Sequence, residues 1–302
     1  MQDTKNTRLG FIGYGEVGGI FCAGLSSHVD SVCAWDLKLA DAAQAEPLRA
    51  RADRDRVSLC SSASDLCAAS NLIISAVTAS NTVAVAREAA AYLQPDTLFL
   101  DLNSASPGAK REAGAAIEAA GGHYVEAGVM SSVPPHGIRV PMLLGGPYAD
   151  SLAVRLRAWG MDARAVSEEL GIASAIKMCR SVMIKGLEAL VVESYTTARA
   201  YGVEDHVLPT LKETFPSIDW SEEGRYFYSR VVQHGKRRAE EMREAANTVR
   251  EAGFEPLMAA ATAQKQDWVA RLAAKGLFEG IQKSGGWQAY ADRLIQQAKR
   301  RD

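Results

Sequence analysis

Lys177 and its neighbours are the residues best suited to chemistry. Ser174, Lys177, Ser181 and Lys185 recur at the three- and four-residue spacing that lines up one face of a helix, with Arg180 beside them. They lie in Gly171–Ala200, GIASAIKMCRSVMIKGLEALVVESYTTARA, which holds no proline and carries apolar side chains nearly all the way round. A helix of that kind is normally buried. A cationic stripe on it must face a partner, an ion or a cavity, because an unpaired buried charge is too costly. Pairing with carboxylates at a domain or subunit interface explains the stripe as well as a ligand does.

The second chemical element is Gly13-Tyr14-Gly15-Glu16-Val17-Gly18, which follows the apolar run Arg8–Gly13 and opens a helical stretch to about Ser27. Val32–Trp35 is the next strand and ends at Asp36. Strand, glycine turn, helix, strand and acid is the order a dinucleotide site requires. Gly13 makes the tight turn, Gly15 lets the backbone approach a pyrophosphate, and Gly18 lets helix and strand pack closely. The helix N-terminus then receives the phosphates. Asp36 stands where an acid accepts the adenosine ribose hydroxyls and repels a 2'-phosphate, which favours NAD while leaving NADP possible. An N-cap ahead of a helix over Leu37–Ala50 explains Asp36 equally well.

These sites need elements to hold them. Short strands at Val57–Cys60, Asn71–Val77, Thr97–Leu102, Tyr124–Ala127 and Met142–Leu144 alternate with helices at Asn81–Leu93, Ser106–Ala120 and Ala149–Trp159. Such alternation implies an α/β Rossmann-type, doubly wound, mostly parallel sheet covered on both faces. Ligands sit beyond the carboxyl ends of its strands, which singles out Val77-Thr78, Asn103-Ser104 and Gly128–Ser132. Plain turn chemistry also explains each of these taken singly. After Gly171 every clear pattern is helical: the long helix, Asp205–Thr214, Glu222–Glu251, Glu255–Ala274 and Trp287–Lys299. Pro216 and Trp220 fall in a connection, and Pro256 suits the first helical position. The expected organisation is a dinucleotide-binding domain over 1–166 and an all-α domain over 167–302, the length being long for one core.

Composition narrows the classes. A net charge of -2 gives no electrostatic case for nucleic acid or an anionic membrane. Cys22, Cys33, Cys60, Cys67 and Cys179 are scattered, with no C-x-x-C pair, as free thiols in a reducing cytoplasm would be. The N-terminus lacks a signal-peptide core, and no apolar run is long enough to span a bilayer. The histidines are isolated, so no metal constellation appears. His123 reads as structural, and His234 lies on a charged helix whose Lys236–Glu240 and Arg237–Glu241 spacings suit surface ion pairs.

Taken in order, the motifs resemble the β-hydroxyacid dehydrogenase superfamily, with its 6-phosphogluconate and 3-hydroxyisobutyrate dehydrogenases. Gly13–Gly18 matches the nucleotide turn, and Asp101-Leu102-Asn103-Ser104 stands where the family has Asp-x-Ser-Thr near the nicotinamide ribose. Glu126–Ser132 stands at the substrate-loop motif Asp-Ala-Pro-Val-Ser-Gly-Gly, and Gly171–Lys177 matches the helix motif that ends in the family's catalytic lysine. Ser131 and Ser132 replace the loop glycines, and Arg180 and Ser181 stand where an asparagine usually follows the lysine. Both departures fall on residues that would touch substrate, so the substrate does not carry over. The later part, with its His234–Arg238 run, is similar to a divergent branch of bacterial phosphogluconate-dehydrogenase-like proteins. The resemblance implies a homodimer in which the exposed apolar remainder of the long helix packs against a second subunit.

Hydride transfer between a C–OH carbon and nicotinamide needs a group that takes the hydroxyl proton. Lys177 is the candidate: a lysine normally titrates near about 10.4, and a closed cleft with Arg180 and Lys185 nearby would bring it toward neutrality. Arg180 offers a bidentate fork for a carboxylate. Ser131, Ser132, His136, Ser181 and Lys185 complete the candidate substrate-binding set, and Tyr14, Glu16, Val17, Val77, Thr78 and Asn103 join the glycines and Asp36 around the cofactor. The expected substrate is a small anionic hydroxy or oxo acid. An imine or carbonyl reductase of the same architecture, and a dinucleotide-binding regulator without turnover, are the competing readings.

Overall fold

The computed structural model describes residues 6–282 and 285–299; the first five residues, part of the stretch read as lacking a signal peptide, lie outside these. The chain forms two compact units, Met1–Cys179 and Arg180–Asp302.

The first unit begins with Arg8–Ile12 (β1), Glu16–Leu25 (α1) and Ser31–Trp35 (β2). The helix expected over Leu37–Ala50 is replaced by a 3-10 turn at Leu37–Ala40 and then Ala42–Asp55 (α2). Asp36 caps the turn through Lys38 N, and Asp41 caps α2 through Ala43 N, so two short acidic side chains divide one helical pattern into two. Ser58–Leu59 (β3) leads into Ala63–Ala69 (α3), a helix absent from the sequence reading. It has only seven residues and rests on the cap from Ser62 to Asp65 N. Leu72–Ser75 (β4), Thr82–Ala90 (α4), Leu98–Asp101 (β5), Pro107–Ala119 (α5), His123–Val129 (β6), Met142–Gly145 (β7) and Ala149–Ala158 (α6) follow the expected alternation. Ala163–Ser167 (β8) was not anticipated: a five-residue edge strand with one fully buried position has almost no hydrophobic period.

The eight strands lie in the order β3-β2-β1-β4-β5-β6-β7-β8. All neighbours are parallel except β6 and β7, which pair antiparallel from Glu126–Gly145 to Val129–Met142. Strand order reverses between β1 and β4, which opens a crevice at the carboxyl ends of those strands. Apolar side chains fill both faces. Leu9, Phe11, Ile74 and Val125 pack under α1, α2 and α6, while Ile73, Phe99 and Tyr124 pack under α3, α4 and α5.

The long helix Ile172–Tyr201 (α7) begins in the first unit, and its later turns belong to the second. It is not buried all round as its composition suggested, for Met183 is 74% and Leu190 53% exposed. Glu204–Thr214 (α8), Trp220–Glu251 (α9), Leu257–Ala274 (α10) and Trp287–Lys299 (α11) complete the helical unit. Trp220 opens α9 and does not lie in a connection, because Asp219 accepts the N–H groups of Ser221 and Glu222 and starts the helix there. Pro256 sits at the cap of α10, one place before its expected position. The core of this unit is aromatic: Tyr195, Phe227, Tyr228, Trp287 and Tyr290 converge from α7, α9 and α11. Among the described residues no helix is long and apolar enough to cross a membrane.

Charge is also buried here. Arg238, on the charged helix whose neighbouring residues suit surface ion pairs, is 6% exposed and grips the carboxylate of Glu188, with Nε at 2.9 Å from Oε2. Gln266 Nε2 donates to the same carboxylate at 3.2 Å. Removing one partner strands the other charge in a dry core. Arg238→Met is expected to lower unfolding stability by about 3–5 kcal/mol, and Glu188→Met in the same chain to restore at least half of it, read from urea denaturation midpoints.

Candidate functional site

The nucleotide turn is built from backbone constraints. Gly13 has φ +94, and a Cβ there would lie 2.5 Å from Ala76 O; a Cβ on Gly18 would lie 2.1 Å from Gly13 O. Both positions need glycine for sterics alone. Gly15 is different, since a Cβ there would meet nothing within 4 Å. Space therefore lies open over the N-terminus of α1, where unsatisfied N–H groups favour an anion. Glu16 and Val17 form the first turn of α1, with Glu16 exposed and Val17 half-buried.

Asp36 Oδ2 accepts Tyr14 N at 2.8 Å and Oδ1 accepts Lys38 N at 3.0 Å. The acid thus caps its own turn and holds the glycine turn at once. Arg51 of α2, which the sequence reading missed, donates to Tyr14 O and lies 4.2 Å over the Tyr14 ring. The buried Tyr14 phenol is pushed above its usual range, chiefly by desolvation.

The turns after β4 and β5 are tied together. Asn103 is 3% exposed, and its side chain accepts Val77 N at 2.7 Å and donates to Ser75 Oγ at 3.0 Å. Its amide is spent on holding the Val77-Thr78 turn against its own. Thr78 is exposed and accepts a hydrogen bond from Asn81 at 3.0 Å. Asp101, at the end of β5, accepts Asn103 N at 2.8 Å, Tyr124 Oη at 2.6 Å and Lys110 Nζ at 3.0 Å. Desolvation and the adjacent Asp101 carboxylate push the Tyr124 phenol well above its usual range.

Beyond β6 the head of α7 arrives. Glu126 is fully buried; Oε1 accepts Gly171 N at 2.7 Å and Ala173 N at 3.0 Å, and Oε2 accepts Ser174 Oγ at 2.7 Å. A helix N-terminus wants both hydrogen-bond acceptors and negative charge, and this carboxylate supplies them from a strand. A Cβ on Gly128 would lie 2.9 Å from Ala173 O and 3.4 Å from Lys177 Cβ, so glycine permits the close approach. Lys177, half-buried, donates from Nζ to Ser104 Oγ at 2.5 Å. Ser131 Oγ lies 3.4 Å from His136 Nε2 on the loop after β6, with Ser132 half-buried next to it.

The structure therefore brings Lys177 to the Asn103-Ser104 turn, and Ser131 to His136. Ser174 of the same stripe stays with Glu126, while Arg180, Ser181 and Lys185 belong to the helical unit. Lys185, 7% exposed, donates to Ser181 Oγ at 3.0 Å and pairs with Glu241 at 3.0 Å; Arg180 is exposed. Arg237 reaches Glu241 at 3.7 Å, and His234 on the same helix is half-buried. The sequence reading gave no site role to Glu126, Lys110, Tyr124 or Arg51. Glu126 alone had a signal, its place in the substrate-loop motif.

Residues 8–144 match the NAD binding domain of 6-phosphogluconate dehydrogenase, and residues 198–269 match a domain of unknown function, DUF1932. The open space over Gly15 and the bare head of α1 fit a pyrophosphate. A conserved hypothetical protein of Sinorhizobium meliloti is 37% identical, covering 96% of each chain with a TM-score of 0.75. A conserved protein of unknown function, described as structurally similar to 3-hydroxyacid dehydrogenases, is 31% identical over 88% of this chain and 98% of its own, with a TM-score of 0.67. The fold alone extends to the 3-hydroxyisobutyrate dehydrogenase of Mycobacterium tuberculosis, 16% identical over 96% and 99% of the two chains, with a TM-score of 0.66. The chain belongs to the β-hydroxyacid dehydrogenase superfamily, in a divergent branch similar to 6-phosphogluconate dehydrogenase.

Proposed function

We propose that the protein is an NAD-dependent oxidoreductase that moves a hydride between nicotinamide and the C–OH carbon of a small anionic hydroxy acid, with Lys177 as general acid and base. The observation that carries this reading is the 2.5 Å contact between Lys177 Nζ and Ser104 Oγ, at the turn that follows β5. The amine stands at the carboxyl end of the sheet that bears the nucleotide turn, where open α/β sheets bind their ligands. When bound, the nicotinamide supplies the hydride chemistry; the chain supplies placement and the proton.

Gly13, Gly15 and Gly18 with the head of α1 would hold the pyrophosphate, and the Val77-Thr78 and Asn103-Ser104 turns are the residues that would meet the nicotinamide. In oxidation Lys177 takes the hydroxyl proton; in reduction it returns that proton to the carbonyl oxygen. Ser131, Ser132 and His136 contact the polar groups of the substrate; Arg180, in the helical unit, carries a fork suited to a carboxylate. Ser181 and Lys185, already committed to one another and to Glu241, hold the helix and leave the substrate to the residues before them. The exposed apolar side chains Met183 and Leu190, seven residues apart on α7, are assigned to the face of a second copy of the chain.

Asp36 supports NAD over NADP, since a carboxylate at the adenosine ribose repels a 2'-phosphate. Asp36→Ser is expected to shift the ratio of NADP to NAD affinity upward by about tenfold or more, measured by titration calorimetry with each dinucleotide. Unchanged preference would remove Asp36 from the ribose. Lys177→Ala is expected to leave NAD affinity within about threefold while lowering turnover by about two to four orders of magnitude. Equal loss of both, or near-wild-type turnover, would end the role given to this amine. A panel of 2- and 3-hydroxy acids with NAD and NADP, followed at the absorbance of the reduced nicotinamide, tests the reaction itself. Activity is expected on acids. Turnover of amines alone would favour the imine reductase reading, and silence despite tight NAD binding would favour a regulator.

A further inference from the structure

Lys110 is the one lysine with no exposed surface among the described residues, and the proposed chemistry leaves it without a task. It stands in the first turn of α5, where the N–H groups of the helix already present positive charge. A cation buried there is costly twice over, through desolvation and through the helix dipole. An apolar residue of similar size would fill the same space without either cost. The position therefore calls for something that only a charged donor delivers.

What it delivers is the fixing of Asp101. Lys110 Nζ lies 3.0 Å from Asp101 Oδ1 and donates to the backbone carbonyl of Asp101 at 3.0 Å. One ammonium thus pins both the side chain and the main chain of the last residue of β5. The Asp101 carboxylate passes the constraint on, through Oδ1 to Asn103 N at 2.8 Å, while Tyr124 Oη holds Oδ2 at 2.6 Å. Asn103 is locked in turn to Val77 N and Ser75 Oγ, and Ala105 N returns to Asn103 O at 3.1 Å. The residue inside this rigid turn is Ser104, and its hydroxyl receives Lys177 Nζ at 2.5 Å.

The geometry points to Lys110 and Asp101 as positioning residues that hold Ser104 against Lys177 and so set the place of the reacting amine. This inference rests on the reading of Lys177 given above. It adds a chain of cause that runs from the helix α5 under the sheet, through the end of β5, to an amine 73 residues away from Ser104 in sequence.

The test reads the Lys177 amine directly and needs no substrate. Trace labelling with acetic anhydride from pH 7 to 10, followed by peptide mass spectrometry, gives the reactivity of Lys177 relative to the exposed Lys212 of the same chain. In Ser104→Ala, and in the charge-neutral pair Lys110→Met with Asp101→Asn, the Lys177 rate is expected to rise at least about threefold, the lower end of the scale for losing one hydrogen bond. Combining all three substitutions should add little to either effect, as it does for residues acting in one network. Circular dichroism and NAD titration establish that each variant is folded. If the paired variant does not fold, Tyr124→Phe, which keeps the ring and removes one donor to Asp101, decides with a smaller rise of the same sign. A folded paired variant, or a Tyr124→Phe standing in for it, whose Lys177 reacts as in the wild type overturns the inference, as does a Ser104→Ala without effect. A chain that shows the coupling yet turns over no hydroxy acid would lose the proposed reaction and keep the network.

Discussion

A single buried carboxylate organises the first unit around its chemistry. Glu126 is fully buried and would be intolerable there as an isolated charge. It is stable because the first N–H groups of α7 have no intrahelical partners and point at it, from Gly171 and Ala173, with the Ser174 hydroxyl alongside. Each side satisfies the other. The helix gains its cap from a strand 45 residues earlier, and the strand gains a compensating dipole. The glycine at position 128 then allows the backbone of α7 to lie close against β6, which brings the root of Lys177 to the carboxyl end of that strand.

The same economy recurs at the end of β5, where Asp101 and Lys110 balance each other in a space closed to water. Buried ion pairs of this kind add little to stability when compared with an apolar pair of equal volume. What they do is fix geometry, because each partner is held by directional bonds that an apolar side chain cannot make. Asn103 shows how such fixing reaches the site: an amide with both ends engaged ties two loops into one rigid rim. The helical unit follows a parallel plan, with Glu188 and Arg238, and Lys185 and Glu241, joining α7 to α9. There the aromatic core around Trp287 lies between the same helices that the ion pairs join.

Several parts of this arrangement were legible in the sequence. The strand, glycine turn, helix and acid over residues 8–36 announce themselves because each step is local: a short apolar run, a residue that must have positive φ, a helical stretch, and a cap. The long helix from Ile172 was equally plain, since thirty residues without proline leave little else to form. Elements with weak local patterns were not legible. The short α3 and the edge strand β8 carry too few apolar positions to set a period, and the antiparallel turn of β7 depends on which neighbour it meets.

The sequence by itself determined which of the strongly patterned elements form, where the glycines of the nucleotide turn stand, and that a lysine lies near the head of a long helix. Only the tertiary structure decided what each charge meets: Glu126 the head of α7, Lys110 the carboxylate of Asp101, Arg238 the carboxylate of Glu188, and Lys185 the carboxylate of Glu241. Propensity and periodicity are written in residues three or four places apart, and so they survive in a one-dimensional reading. The partner of a buried charge lies on another element, 50 residues away for Glu188 and Arg238, and its identity follows from packing that brings the two into one dry space.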